Sequence, residues 1–159
     1  MGSLQVQQAP GTPPPPYPTP PAPPGASVVK VTGNSLGNYG LSVNGAPYQM
    51  KGVTFGPANS TAAAHMPDLH AMGVNTIRTW GTDATAQSLL DAAGPYGIKV
   101  INGFWLGQTT DYVSDSAYKS STLTSILQWV NTYKNNPNVL MWDIGNEVLL
   151  NLPHDYSGA

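Results

Sequence analysis

The chain has 159 residues, enough for one ordinary domain, and is 40% apolar but only 9% charged. A formal net charge of −2 gives no field that attracts nucleic acid or an anionic membrane, and the absence of cysteine excludes disulfides and thiolate metal sites. No apolar run reaches the roughly 18 residues of a membrane span, so a neutral polar partner, a sugar polymer above all, suits this composition best.

The opening "MGSLQVQQ" lacks a basic segment followed by an apolar one, so no secretory signal is visible. Residues 10–24 read "PGTPPPPYPTPPAPP". Proline fixes φ and removes the amide donor, so this stretch is expected to be extended and without a packed core. It reads as a disordered linker over 1–26 rather than an SH3 or WW ligand, because no Arg or Lys sits near the prolines. Composition turns globular after residue 26, which sets the expected domain at 27–159.

"GLSVNGAPYQMKGV" carries Asn44-Gly45 between two short strand-like runs. That dipeptide suits a type I′ hairpin turn, which needs φ > 0 at both central residues. The second strand is expected to run on through Gly52-Val53-Thr54-Phe55. Residues 62–72 read as a helix whose regular part starts near Pro67, because proline is best tolerated in a first turn. "VNTIRTW" reads as a strand. "DATAQSLLDAAG" reads as a helix capped by Asp83 and stopped by Gly94. "IKVINGFW" is a strand, and "SSTLTSILQWVNTYK" a helix with Leu123, Ile126, Leu127 and Val130 on one face. "NVLMWDIGNE" is the last strand. Strands and helices in alternation imply a parallel sheet covered by helices. No phosphate-binding glycine fingerprint follows the first of these strands. The fold class is therefore α/β, a partial (β/α)8 barrel (strands 1–4) preceded by a β-hairpin and the proline-rich arm.

In such barrels chemistry gathers at the carboxyl ends of the strands. Those ends deliver Phe55 and Asn59, then Arg78 and Trp80, then Asn102, Phe104 and Trp105, then Asn146 and Glu147. Flat rings stack on sugar faces, and amides and carboxylates bind hydroxyls. Glu147, at the tip of an apolar strand, is expected to be poorly solvated. Desolvation would raise its pKa and keep a proton ready for a glycosidic oxygen.

These residues resemble a known family. "WDIGNE" at 142–147 resembles the fourth-strand motif of the clan A retaining glycoside hydrolases, the large clan on (β/α)8 (TIM) barrels. That clan spans β-galactosidase and β-glucuronidase types, cellulase and mannanase types, and β-1,3-glucanosyltransferases. "NGAPYQMKGVTFGP", "LHAMGVNTIRTW" and "LLDAAGPYGIKVI" resemble its opening hairpin and first three strands, so the likeness covers about residues 40–150. The resemblance implies that Glu147 is the general acid/base and that Asn146 binds the sugar 2-hydroxyl. It implies that Arg78 holds the nucleophile carboxylate ionised and that Trp80, Trp105, Asn102 and Phe55 line the substrate site. It implies no metal and no organic cofactor, an oligo- or polysaccharide substrate, and an extracellular or cell-wall location. The clan's nucleophile is a second glutamate on strand seven, and no residue here supplies it. Asp143 lies about 13 Å along the strand from Glu147, too far to serve. The function read from this is a fragment of a retaining β-glycoside hydrolase, inactive as it stands. The alternatives are a β-1,3-glucan transglycosylase and a non-catalytic carbohydrate-binding or scaffold fragment. Self-association through exposed strand edges is also expected.

Plainer roles stand beside these. Arg78 can pair with Asp143 inside the barrel, and Trp129 and Trp142 read as packing. His65, His70 and His154 are not at metal-ligand spacing. Asp111 and Asp115 lie in a polar loop within reach of a substrate.

Overall fold

The computed structural model describes residues 25–33, 37–148 and 150. The proline-rich arm and His154 lie outside these. A first strand, β1 (Val29–Thr32), pairs antiparallel with β2 (Gly40–Val43), which pairs with β3 (Ala46–Pro47). The hairpin turn is the one its dipeptide demands, with φ of 52° at Asn44 and 82° at Gly45. Sequence reading missed β1. What recruits it is the turn, since Val28 N–H donates to Asn44 Oδ1 at 2.8 Å and Asn44 N–H to Val28 O at 2.8 Å.

The hairpin does not continue into Gly52, contrary to expectation. Pro47 has no N–H to extend the ladder, and β4 (Gly52–Thr54) belongs to a second sheet. Asn75 binds the connecting segment to that sheet. Its side chain accepts from Lys51 N–H (2.8 Å) and donates to Gln49 O (2.8 Å), while Tyr48 Oη donates to Asn75 O (2.7 Å).

The second sheet runs β4, β5 (Thr76–Arg78), β6 (Lys99–Phe104), β7 (Val139–Ile144), with all neighbours parallel. Helices α1 (Ala62–Ala71), α2 (Ala86–Ala93) and α3 (Ser116–Tyr133) connect its strands. The mixed α/β architecture and the strand order are those expected. Register places Val53, Ile77 and Val100 on one face and Thr54, Arg78, Ile101 and Met141 on the other. The first face makes the core, where Ile77 and Val100 meet Met66 of α1 and Leu89, Leu90 and Ala93 of α2. A shift between Val100 and Ile101 realigns the last pair, setting Asn102 opposite Trp142 and Gly103 opposite Asp143.

Three helix details differ from expectation. Pro67 lies inside α1, which begins at Ala62 after a 3-10 turn. Full burial of Ala62 and Met66 outweighs the one ladder bond that proline removes. Asp83 sits two residues before the α2 cap position, where its Oδ1 accepts from Thr85 N–H at 2.7 Å; Gly94 continues into a 3-10 turn, and Gly97 (φ 65°) is the left-handed stop. On α3, Leu123 and Leu127 are 57% and 51% exposed, and the inward stripe is Ile126, Trp129, Val130 and Tyr133. The aromatic residues decide this rotation because they bury the most area. Trp129 stacks on Tyr133 at 6.2 Å, and Tyr133 Oη donates to Asp83 O at 3.0 Å, fixing α3 to the start of α2. Trp142 packs against the same core, so the packing roles read for Trp129 and Trp142 hold. Among the described residues no helix is long and apolar enough to cross a membrane.

At the amino ends of the strands, Lys99 Nζ donates to Pro137 O (2.6 Å) and Ser27 Oγ (3.2 Å), closing the base of the sheet. Burial lowers the Lys99 pKa below its usual 10.5. The folded pKa is thus below the unfolded one. As pH rises towards 10.5 the unfolded chain binds more protons, and this group's contribution to stability increases. Urea unfolding at a series of pH values up to 10.5 is expected to show the stability of the wild type gaining on that of Lys99→Met as pH rises. Parallel pH dependence of the two proteins would contradict it.

Candidate functional site

The carboxyl ends of β5, β6 and β7 converge on one guanidinium. Arg78, the last residue of β5, donates from Nε to Asp143 Oδ2 on β7 at 2.6 Å, and its Nη2 ion-pairs with the same carboxylate. The same Nη2 donates to Asn146 Oδ1 at 3.1 Å, and Cζ lies 4.3 Å from the centroid of the Trp80 ring. The plainer reading of Arg78, a pair with Asp143, is therefore realised, and the guanidinium engages Asn146 and Trp80 at the same time. Bonding of its carbonyl oxygen to Arg78 leaves the Asn146 amide nitrogen as the end that can donate to a ligand.

The loop carrying Trp80 is held down on β6. Gly103 N–H donates to Thr79 Oγ1 at 3.1 Å, and Thr82 Oγ1 donates to Gly103 O at 2.8 Å. A Cβ on Gly103 would fall 2.2 Å from Thr79 O, so this approach requires glycine. The loop separates two clefts. One, of about 320 Å³, is lined by Phe55, Asn59, Trp80 and Asp83; the other, of about 500 Å³, by Trp105, Tyr118 and Thr122. Gly81 lines both.

After β7 the chain turns sharply. Gly145 has φ of 88° and Glu147, a non-glycine residue, φ of 49°. A left-handed conformation at such a residue costs of order 1 kcal/mol. Gln108 Nε2 supports the turn by donating to Asn146 O at 3.1 Å, and Leu150 N–H donates to Glu147 O at 2.9 Å. The Glu147 side chain is exposed, which differs from the dry environment expected. Among the described residues β7 pairs only with β6.

The side chains of two other expected site residues do not join the Arg78 guanidinium. Asn102 lies between Ile101 and Gly103 in register and faces the helix side, where it is 1% exposed and its side-chain amide has no partner among the described residues. Phe55 is one residue past Thr54, the partner of Arg78, and is buried edge-on against His65 at 5.9 Å. Trp80 and Trp105, by contrast, are 40% and 52% exposed. Asp111 accepts from Val113 N–H at 2.9 Å and Asp115 caps α3 through Tyr118 N–H at 2.8 Å, so both shape the loop. Asp143 was legible as a partner of Arg78, as an opposite charge inside the same barrel. Gln108 was missed, because nothing local marks a loop residue that reaches 38 positions along the chain. Among the described residues no cluster of His, Asp or Glu is placed to hold a metal.

The side chains of Arg78 and Asp143 are 24% and 33% exposed, between the regime of surface pairs and that of buried ones. Arg78→Gln is expected to destabilise the fold by about 1–2 kcal/mol, and Asp143→Asn by less, because an amide still accepts from Nε. Chemical denaturation of both variants checks this; an Arg78→Gln protein as stable as wild type would contradict it.

No protein-family model matches the chain, and no curated protein matches it significantly in sequence. Solved structures do. The exo-chitosanase CsxA of Amycolatopsis orientalis aligns over 74% of this chain and 15% of its own, with 25% identity and a TM-score of 0.57. The β-glucuronidase of Parabacteroides merdae aligns over 83% of this chain and 16% of its own, at 20% identity and TM-score 0.59. The β-mannanase of the mussel Mytilus edulis aligns over 78% of this chain and 46% of its own, at 18% identity and TM-score 0.56. The chain thus spans from about one-seventh to just under half the length of these proteins, and it shares its fold with a segment of each of these glycoside hydrolases.

Proposed function

We propose that this chain supplies the first four βα units of a (β/α)8 barrel in a retaining β-glycoside hydrolase that acts on an oligo- or polysaccharide outside the cell or in its wall. One observation carries the reading. A single guanidinium at the end of β5 binds Asp143 and Asn146 and stacks on Trp80, and Glu147, the only glutamate of the chain, follows Asn146 directly in sequence. The glycoside hydrolase neighbours support the same class.

In this mechanism Glu147 protonates the bridging oxygen as the bond to the anomeric carbon breaks. A carboxylate from a later strand attacks that carbon and forms a covalent glycosyl intermediate. The Glu147 carboxylate then takes a proton from the water that releases the sugar. Asn146 donates to the 2-hydroxyl, and Arg78 fixes its amide in the orientation that can do so. Trp80 and Trp105 stack against sugar rings. Strands beyond β7 enclose Glu147 and supply the dry surroundings that an acid needs. Asn102 acts by position, since it is buried on the helix side of β6, while Phe55 borders the cleft that Trp80 also lines. Transfer to a sugar instead of water, as in a β-1,3-glucan transglycosylase, uses the same groups.

The exposure of Glu147 and of both tryptophans favours one rival, a non-catalytic sugar-binding segment. In the full-length protein, Glu147→Gln is expected to lower the hydrolysis of a β-linked substrate by about 10²–10⁴-fold while sugar binding persists. Undiminished hydrolysis would rule out the acid/base role, and binding without any hydrolysis by the wild type would establish the rival. A polypeptide of these 159 residues alone should neither turn over an aryl β-glycoside nor remain monomeric by light scattering, because β4 and β7 each pair on one side only among the described residues.

A further inference from the structure

Neither Trp80 nor any of Arg78, Asp143 and Asn146 lines the larger cleft, which meets the smaller one at Gly81 and has residues of helix α3 along its wall. Positions 118, 122, 126, 129 and 133 succeed one another at three or four residues, so they share one face of α3. The carboxyl-terminal half of this face is packed, with Trp129 and Tyr133 against the core. The amino-terminal half carries hydroxyls instead. Tyr118, Ser121, Thr122 and Ser125 line a space of about 500 Å³, together with Thr82 and Trp105. A face that merely packed would continue with apolar residues, as its other half does. A face that merely met solvent would not confront a half-exposed tryptophan across a cleft.

The rim is braced. Gly107 N–H donates to the Tyr118 hydroxyl oxygen and Tyr112 Oη donates to Gly107 O, both at 2.7 Å, while the two tyrosine rings meet edge to face at 5.8 Å. The volume falls within the ~300–1,000 Å³ typical of ligand sites. No charged side chain lines it, which disfavours phosphates, uronates and aminosugars. An exposed indole flanked by hydroxyls, with Phe104 and Ile126 as apolar lining, matches a neutral pyranose, whose flat face stacks and whose edge hydroxyls exchange hydrogen bonds. Extended β-linked chains present such faces in succession.

We propose that this cleft is a second, holding site for a neutral β-linked oligosaccharide, so that one polymer is gripped on both sides of the Gly81 loop. The ligand class rests on the glycoside-active reading above. The test uses full-length Glu147→Gln protein, which should not consume its ligand, titrated with β-1,4-glucohexaose while the indole N–H signals of Trp80 and Trp105 are followed by NMR. The Trp105 signal is expected to shift saturably. Ser125→Phe, which fills the cleft and leaves the Trp105 probe in place, should weaken that binding by at least about tenfold, and a β-1,4-glucosamine hexamer should shift Trp105 less. A hexaose that moves only Trp80, or neither tryptophan, overturns the holding site and leaves the Glu147 mechanism standing. Saturable shifts at Trp105 with a wild type that hydrolyses nothing uphold the holding site and sink the mechanism instead.

Discussion

The Arg78 guanidinium is the constraint on which the strand ends depend. It reaches from β5 past β6 to a carboxylate on β7, and so fixes the relative positions of three strands at the end where a ligand would bind. Removing a guanidinium from water costs several kcal/mol unless its donors are met. Here Nε and Nη2 meet Asp143, Nη2 also meets Asn146, and the flat face meets Trp80. Each partner thereby becomes positioned in turn. Asn146 is held by its oxygen, Trp80 by its ring, and the left-handed Glu147 follows a turn whose preceding residue cannot swing.

Glycine at 103 is the second condition. Because no Cβ intervenes, the chain after β5 crosses close over β6, and residues 79–82 become a wall between two clefts. The smaller cleft is lined by Trp80, the ring on which Arg78 stacks. The larger is uncharged and borders α3. One backbone contact thus separates a cleft lined by Trp80 and Asp83 from one lined by hydroxyls and Trp105.

The sequence displayed much of this because its signals were local. Asn44-Gly45 specifies its turn by backbone sterics, and alternation of apolar strands with helical stretches specifies parallel order without reference to anything distant. Arg78 with Asp143 was legible as the pairing of opposite charges inside a barrel. What was missed depends on distant partners. The rotated stripe of α3 is set by Trp129 and Tyr133 finding the start of α2, and no pattern within the helix distinguishes that stripe from one through Leu123 and Leu127. Pro67 sits mid-helix because its neighbours are buried against another helix. Asn102 and Phe55 stand at strand ends as expected, but the register turns both towards the helices. Counting along a strand gives the height of a side chain; only pairing with Arg78 and Asp143 tells which face it takes.

The claim that matters most is that the carboxyl group at position 147 delivers a proton to the departing oxygen. Its most direct test is the dependence of rate on the leaving group. In full-length protein, wild type and Glu147→Gln would be compared on aryl β-glycosides with phenols ranging from strongly to weakly acidic, with bond cleavage followed in the first turnover. A strongly acidic phenol departs without a proton, so the variant should approach wild-type rates there and fall progressively behind as the phenol becomes less acidic. A loss of equal size across the whole series would mean that Glu147 binds or shapes the site without donating a proton.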